Sequence, residues 1–293
     1  MTSYQKKLLL LAGTVLTGGG IPVFSKLLLR EMSPTEFMTI RFFSAWLIML
    51  PLVVKLLPRK LKDWWLINLV VLPASLNMVL FARGLLTTTA TMATLIYSFS
   101  PIAAAIMVYA IGQEKLNQRK LTGIFIGFIG MLIIILAPLK IAQLAVFVGS
   151  FQGNLLIFLG MVLFTVYTVA SKSIQAKFKP ETIVSILFLN GALVNALAGG
   201  YTIFNPVRLL PLSATAWLAL SFLVLINSIL FFWLYQVTLK YTSAVTVSMA
   251  SYLYPIITFI WAAILLSERL NPLLVIGGGL TIIGAYLTTK TRA

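Results

Sequence analysis

Residues 97–132 read YSFSPIAAAIMVYAIGQEKLNQRKLTGIFIGFIGML, and residues 251–286 read SYLYPIITFIWAAILLSERLNPLLVIGGGLTIIGAY. A single shift of 154 pairs Pro101 with Pro255, Ile102 with Ile256, Ile106 with Ile260, Glu114 with Glu268, Leu116 with Leu270, Asn117 with Asn271, Gly123 with Gly277, Ile129 with Ile283 and Gly130 with Gly284, and it keeps the charge at Lys115 and Arg269. Two unrelated apolar stretches would share Ile and Leu by chance. They would not share Pro, Glu, Asn and Gly in register, so the chain is read as a tandem duplication. Upstream, Ser25-Lys26 matches Ser171-Lys172 and Pro34 matches Pro180 at a shift of 146.

Each copy is made of long apolar runs. The hydrocarbon core is about 30 Å thick and a helix rises about 1.5 Å per residue, so a span needs about 20 apolar residues. Ten such segments are expected, at 7–29, 34–54, 63–85, 88–111, 118–137, 153–173, 180–201, 213–237, 242–266 and 271–288. That makes five spans per half, in halves 1–147 and 148–293. An odd number sends the second copy into the membrane from the opposite side, so the expected fold is an all-α integral membrane protein built from ten transmembrane helices as two inverted five-helix repeats. Inverted repeats let a central site open first to one face and then to the other. A cleaved signal reading of Lys6-Lys7 followed by Leu8–Leu11 is set aside because the apolar stretch runs on to Leu29.

Composition agrees. Of 293 residues 60% are hydrophobic and 10% charged, with 22 Lys and Arg against 6 Asp and Glu, for a formal charge of +16. With the N-terminus inside, fifteen bases fall on inner loops and termini, including Lys6, Lys7, Lys55, Arg59, Lys60, Lys62, Lys115, Arg119, Lys120, Lys177, Lys179 and Lys240. The positive-inside rule then places both termini in the cytoplasm of a cell whose inner membrane holds the chain. Bases scattered over every inner loop do not form a nucleic-acid face, so the expected partners are the bilayer and a small-molecule substrate. Cys and His are absent, which removes thiol and imidazole chemistry and leaves no expected metal, cofactor or enzymatic activity.

Ser100-Pro101 through Glu114-Lys115-Leu116 to Gly123 and Gly130, and Tyr254-Pro255 through Glu268-Arg269-Leu270 to Gly277 and Gly284, resemble the signature of the EamA family of the drug/metabolite transporter superfamily. Arg41-Phe42-Phe43-Ser44-Ala45 and Leu239-Lys240-Tyr241-Thr242-Ser243-Ala244 are similar to further family positions. Gln113-Glu114-Lys115 and Arg83 depart from the pattern. The resemblance implies a ten-helix secondary transporter, commonly an exporter of amino acids or similar metabolites, with a cavity lined by spans 1, 3, 4, 6, 8 and 9.

Ionisable groups inside a membrane are functional candidates by default. Glu31, Glu36, Asp63, Glu114, Glu181 and Glu268 all sit at or near helix ends, which favours a neutral, zwitterionic or anionic solute over a cation. Arg41, inside span 2, reads as an anion contact or as a side chain that snorkels or pairs with Glu36; Arg83 reads as an interface anchor or a gate. Lys26 and Lys172, at corresponding ends of spans 1 and 6, read as snorkelling residues. Asn77 and Asn227, buried amides, either bond between helices or face a wet cavity. Thr91, Thr94 and Ser98 share one face of span 4, while Ser251, Tyr254 and Thr258 share one of span 9; Tyr97, Tyr167, Tyr252 and Trp233 offer ring surfaces. Pro101 and Pro255 free the carbonyls of Tyr97 and Ser251 and are candidate hinges, as are Gly18-Gly19-Gly20 and Pro22. Gly123, Gly127, Gly130, Gly277 and Gly284 read as close-packing positions.

Two other solutes or activities fit less well. A nucleotide-derived metabolite or nucleotide sugar would require Arg41 and Arg83 to face the cavity. An intramembrane lipid-modifying enzyme would require clustered acids, nucleophiles or metal ligands at one depth. A channel is disfavoured by two inverted repeats in place of several around an axis.

Overall fold

The computed structural model describes residues 3–113, 117–140, 148–199, 202, 212–269 and 272–289. Among them the chain is all-helical. The helices are α1 (Ser3–Gly18), α2 (Ile21–Leu28), α3 (Pro34–Val53), α4 (Leu61–Leu85), α5 (Ala90–Tyr97), α6 (Ser100–Ala110), α7 (Gln118–Lys140), α8 (Phe151–Ile174), α9 (Pro180–Leu197), α10 (Ala214–Phe222), α11 (Phe231–Tyr241), α12 (Ala244–Ser248), α13 (Tyr254–Leu266) and α14 (Pro272–Thr289). A π-helical stretch, Leu223–Leu230, joins α10 to α11, and a 3₁₀ turn, Met249–Tyr252, joins α12 to α13. Eight stretches among the described residues are long and apolar enough to cross a membrane.

Local chemistry sets where these helices begin and break. Ser33 and Glu36 form a capping box at the start of α3, with Pro34 in the first turn. Thr89, Ser150, Ser213 and Ser243 cap α5, α8, α10 and α12 through their side-chain oxygens. The first expected span divides at Gly19-Gly20, the fourth around Ser98-Phe99 before Pro101, and the ninth through the 3₁₀ turn before Pro255. The seventh, expected to reach residue 201, stops at Leu197 because Ala198 leaves the helix and Gly199 turns to φ +117°.

The helix pairs run antiparallel where they touch most closely. A Cβ at Gly84 would lie 2.9 Å from the Gly153 carbonyl oxygen, and one at Gly160 would lie 2.7 Å from Asn77 Oδ1. The end of α4 therefore meets the start of α8, and Lys177 pairs with Asp63 at the other end. These contacts define two faces of the molecule. Helices α7 and α14 behave alike: a Cβ at Gly123 would fall 2.6 Å from the Gly284 carbonyl, and one at Gly130 would fall 2.7 Å from the Gly277 carbonyl. The small-residue positions named from the sequence thus bring two backbones into contact that any side chain would separate.

Candidate functional site

A central cavity of about 80 Å³ lies where the broken helices converge. Its wall takes Gly18 from α1, Ile21 and Pro22 from α2, Arg41 and Phe42 from α3, Asn77 and Phe81 from α4, Thr94 and Tyr97 from α5, Phe164 from α8, Phe231 and Phe232 from α11, and Tyr254 from α13. The spans implied by the resemblance are all represented, and span 2 joins them through Arg41. Gly18 has no room for a side chain, since a Cβ there would sit 2.8 Å from both the Phe231 and Tyr254 rings.

Among the described residues Arg41 carries the only formal charge on this wall. It is 2% exposed, and its guanidinium donates from Nε to Ser228 Oγ at 2.8 Å and from Nη2 to the Asn227 carbonyl at 3.2 Å. The carbon of its guanidinium stands 4.9 Å from the centre of the Phe42 ring. All these partners are neutral, and no carboxylate lies within ion-pair reach of it among the described residues. The expectation that Arg41 snorkels or pairs with Glu36 is corrected: Glu36 is held by the backbone of Ser33 and by Thr202. A buried cation facing only dipoles is costly unless something anionic shares its site. The π-helical turn makes the arrangement possible, because widening at 223–230 presents the Asn227 carbonyl and the Ser228 hydroxyl to α3.

The sequence-derived candidates divide around this cavity. Asn77, Thr94, Tyr97, Tyr254, Arg41 and Pro22 line it, with the Tyr97 hydroxyl donating to Asn77 Oδ1 at 2.6 Å. Asn227 lies behind the wall, fully buried, its amide donating to the Thr17 carbonyl while Oδ1 has no partner. Ser98 donates to the carbonyl of Ser251, the one that Pro255 frees, and Ser100 donates to Ser251 Oγ at 3.1 Å. These serines tie the two broken helices together in place of facing solute. Gly19 carries no side chain to hinge against: a Cβ there would strike Ile257 at 2.6 Å, and its carbonyl accepts from Thr258 at 2.5 Å.

Three ring candidates do not line the cavity. Trp233 donates to Glu181 at 2.9 Å, Tyr252 lies partly buried outside the wall, and Tyr167 is fully buried in a hydrogen-bonded cluster. Arg83 is also off the wall: it reaches across the surface to the Ala198 carbonyl at 3.2 Å and anchors the end of α9. Sequence reasoning missed Phe42, Phe81, Phe164, Phe231 and Phe232, because apolar rings in a membrane helix carry no signal that separates a cavity wall from lipid-facing surface.

From the cavity the two faces differ. Toward the end of α8, below Phe164, the path is filled in layers: Thr168 bonds Tyr235 at 2.8 Å, Gln236 donates to Tyr167 at 2.5 Å and to Ser171 at 2.8 Å, and Gln175 donates to the Gln236 carbonyl at 3.0 Å. Lys172 closes the last layer, its ammonium donating to the carbonyls of Leu239 at 2.7 Å, Lys240 at 3.2 Å and Thr242 at 2.5 Å. Toward the other face, a turn beyond Pro22 and Thr94, a second cavity of about 600 Å³ opens between Lys26, Arg30, Leu85, Leu86, Thr89, Thr91 and Glu268. Glu268 is spent on structure there: Ala90 N, Thr91 N and Thr91 Oγ1 donate to it at 2.7, 3.1 and 2.8 Å, capping α5 from the segment that follows α13. Ser267, at φ +56°, turns the chain so that this reach is possible. Glu31 likewise caps α10 through Ser213. Carboxylates at helix ends thus act here as caps, and no group of three or more Asp or Glu side chains that could hold a metal occurs among the described residues.

Comparison with known proteins places this geometry. The model of the EamA-like transporter family matches twice, over residues 5–136 and 151–290. An uncharacterized transporter of Archaeoglobus fulgidus is 31% identical over 98% of this chain and 99% of its own length. The uncharacterized transporter YyaM of Bacillus subtilis is 25% identical over 70% of this chain and 66% of its own. A solved crystal structure at 17% identity superposes with a TM-score of 0.67 over 97% of both chains, a likeness of fold.

Proposed function

Because the chain belongs to the EamA-like transporter family and is a multi-pass membrane transporter, we propose that it moves a small organic metabolite bearing a carboxylate, an amino acid or a related compound, by alternating access. The transport runs outward across the inner membrane, with ten spans in two inverted five-helix halves, 1–147 and 148–293, and both termini cytoplasmic. The family model matching twice supports the duplication. Antiparallel packing of α7 on α14, with Gly123 against Gly284 and Gly130 against Gly277, is what two oppositely inserted copies would produce.

The observation that carries the substrate class is Arg41, a buried guanidinium on the cavity wall with neutral partners only. A carboxylate is the group best fitted to the guanidinium donors that Ser228 and Asn227 leave unused. The rings of Phe42, Phe81, Phe164, Phe231 and Phe232 around it would take an apolar side chain. About 80 Å³ is well below the roughly 300 Å³ of a typical ligand pocket, so the solute enters by widening the cavity toward the 600 Å³ opening above it. That one face is packed shut while the other is open supports a single central site that is exposed to each face in turn. Arg83 lies off the wall, which speaks against a phosphate-rich nucleotide sugar needing two cations.

Purified protein in proteoliposomes, loaded with labelled amino acids, nucleotides or lipophilic cations at imposed pH gradients, tests the reading. Flux of at least one carboxylate-bearing amino acid, lost in Arg41→Gln, is expected. Flux of a lipophilic cation alone, unaffected by Arg41→Gln, would overturn it.

A further inference from the structure

The repeat makes Lys26 and Lys172 counterparts, yet the structure holds them in different states. Lys172 sits at the end of α8 and clamps the carbonyls of Leu239, Lys240 and Thr242, the segment that leads into α12. Under the shift of 154 that relates the halves, those three residues correspond to Leu85, Leu86 and Thr88, the segment that leads into α5. The correspondence holds in the fold: α5 is capped by Thr89 Oγ1, which accepts from Met92 N, and α12 by Ser243 Oγ, which accepts from Thr246 N, at equivalent positions. Lys26 should therefore clamp Leu85, Leu86 and Thr88. It does not: no hydrogen bond of its ammonium is found among the described residues, and it lines the 600 Å³ cavity together with Leu85 and Leu86. Where the lysine is seated the face is shut, and where its counterpart is unseated the face is open.

We propose that Lys26 and Lys172 are reciprocal gate residues. In the conformation described here Lys172 holds one face closed. When the pocket turns to that face Lys172 lets go, and Lys26 seats on the carbonyls of Leu85, Leu86 and Thr88 to close the other. The inference rests on the proposed alternation of two inverted halves. Each latch ties a helix end to the lead-in of a broken helix, α11 into α12 or α4 into α5, whose interruption at Pro255 or Pro101 lets that lead-in move as a unit. The three donors of an ammonium match three of the carbonyls exposed at and just past a helix C-terminus, which leaves four without an intrahelical partner. Glu268 shares the lining of the open cavity with Lys26.

The chain has no cysteine, so a single introduced thiol reports on one face. Val245, on α12, is 8% exposed and packs against Val169, about a turn before Lys172 on α8; its counterpart Thr91, 4% exposed, forms part of the wall of the open cavity. Val245→Cys in proteoliposomes is labelled with N-ethylmaleimide, alone and combined with Lys172→Met, Lys172→Arg or Lys26→Met. Lys172→Met should raise the labelling rate about tenfold, the population change expected when a charge-assisted contact of the closed state is lost. Lys172→Arg should stay near the parent rate. Lys26→Met should lower the rate, because it removes the latch of the state in which Val245 is accessible. Equal rates in Lys172→Met and the parent, or a rise in both methionine variants as mere loosening would give, overturns the proposal. Labelling needs no solute: carboxylate flux with unchanged labelling leaves the transport reading standing and the latch refuted, while reciprocal labelling without such flux does the reverse.

Discussion

Replacing Arg41 by Met separates a residue kept for function from one kept for stability. The guanidinium is 2% exposed, and it donates to a hydroxyl at 2.8 Å and to a carbonyl at 3.2 Å, with a ring face 4.9 Å away. Removing a buried charge from water costs several kcal/mol even after relaxation, and neutral hydrogen-bond partners return about 1.5–3 kcal/mol each. The two sums nearly cancel. Methionine fills a similar volume, keeps the packing on Phe42, and leaves behind a hydroxyl and a carbonyl, of which the hydroxyl can turn to another acceptor. Arg41→Met should accordingly keep the thermal midpoint of the purified protein in detergent within a few degrees of the parent. Binding of the transported carboxylate should fall by about 2–4 kcal/mol, or roughly 30- to 1000-fold, the cost of removing a desolvated charged partner. Melting followed by intrinsic tryptophan fluorescence, beside binding measured calorimetrically with the labelled solute's unlabelled form, gives both numbers. A large drop in midpoint with unchanged affinity would show that Arg41 braces the wall between α3 and the π-helical turn, and would refute the reasoning.

Other consequences follow from single contacts. Gly284→Ala should destabilise the α7–α14 pair by about 1–3 kcal/mol, because the new methyl would meet backbone atoms of the Gly123–Gly127 turn, and a lowered unfolding midpoint in a chaotrope series would register it. Tyr254→Ala should slow flux by opening the ring cage over Gly18 while membrane insertion stays intact; a wild-type rate would remove Tyr254 from the site. Asn227→Ala should also lower flux, since it unties the Thr17 carbonyl next to the break between α1 and α2 and alters the turn that carries Arg41's acceptors. Glu31 lies outside the spans, and the two Ser213 donors hold its carboxyl below the usual range. Its contribution to stability is therefore complete above an unfolded value of about 4.3 and fades as pH falls through the lower folded value, so Glu31→Gln should lower the midpoint at neutral pH slightly, flatten the acid limb of the midpoint-versus-pH curve, and converge with the parent at the most acidic pH.

Much of the architecture could be read from spacing. Gly123, Gly130, Gly277 and Gly284 recur in register, and they are the residues that bring two helix backbones into contact. Pro101, Pro255 and Gly19-Gly20 stand where helices break, because a missing amide or a missing side chain weakens the helix locally, although α3 and α4 run on through Pro51 and Pro73. The π-helical turn at 223–230 was not legible: Leu223 to Leu230 contains no Pro or Gly, and an extra residue per turn there depends on the partners its carbonyls find in α3. The site was legible in part. Arg41, Asn77, Thr94, Tyr97 and Tyr254 stand out as polar or amphipathic groups at membrane depth, and they do line the cavity. Tyr167, Trp233, Ser251 and Asn227 stand out for the same reason but bond side chains of neighbouring helices or the backbone. Polarity marks a residue that needs a partner, and sequence does not say whether that partner is a solute or a neighbouring helix. Lys172 shows the same limit, since a long basic side chain near a helix end is compatible with headgroups until three carbonyls are found around it.

The central claim, one pocket shown in turn to two faces, is tested most directly by distances. Spin labels at Arg30→Cys and Leu86→Cys span the open cavity, and labels at Ser173→Cys and Lys240→Cys span the closed end of α8 and α11. In proteoliposomes, pulsed electron resonance with and without the transported solute should show the two pairs changing in opposite directions, one distance shortening as the other lengthens. Distances that stay fixed in both pairs, or that widen and narrow together, would contradict alternation.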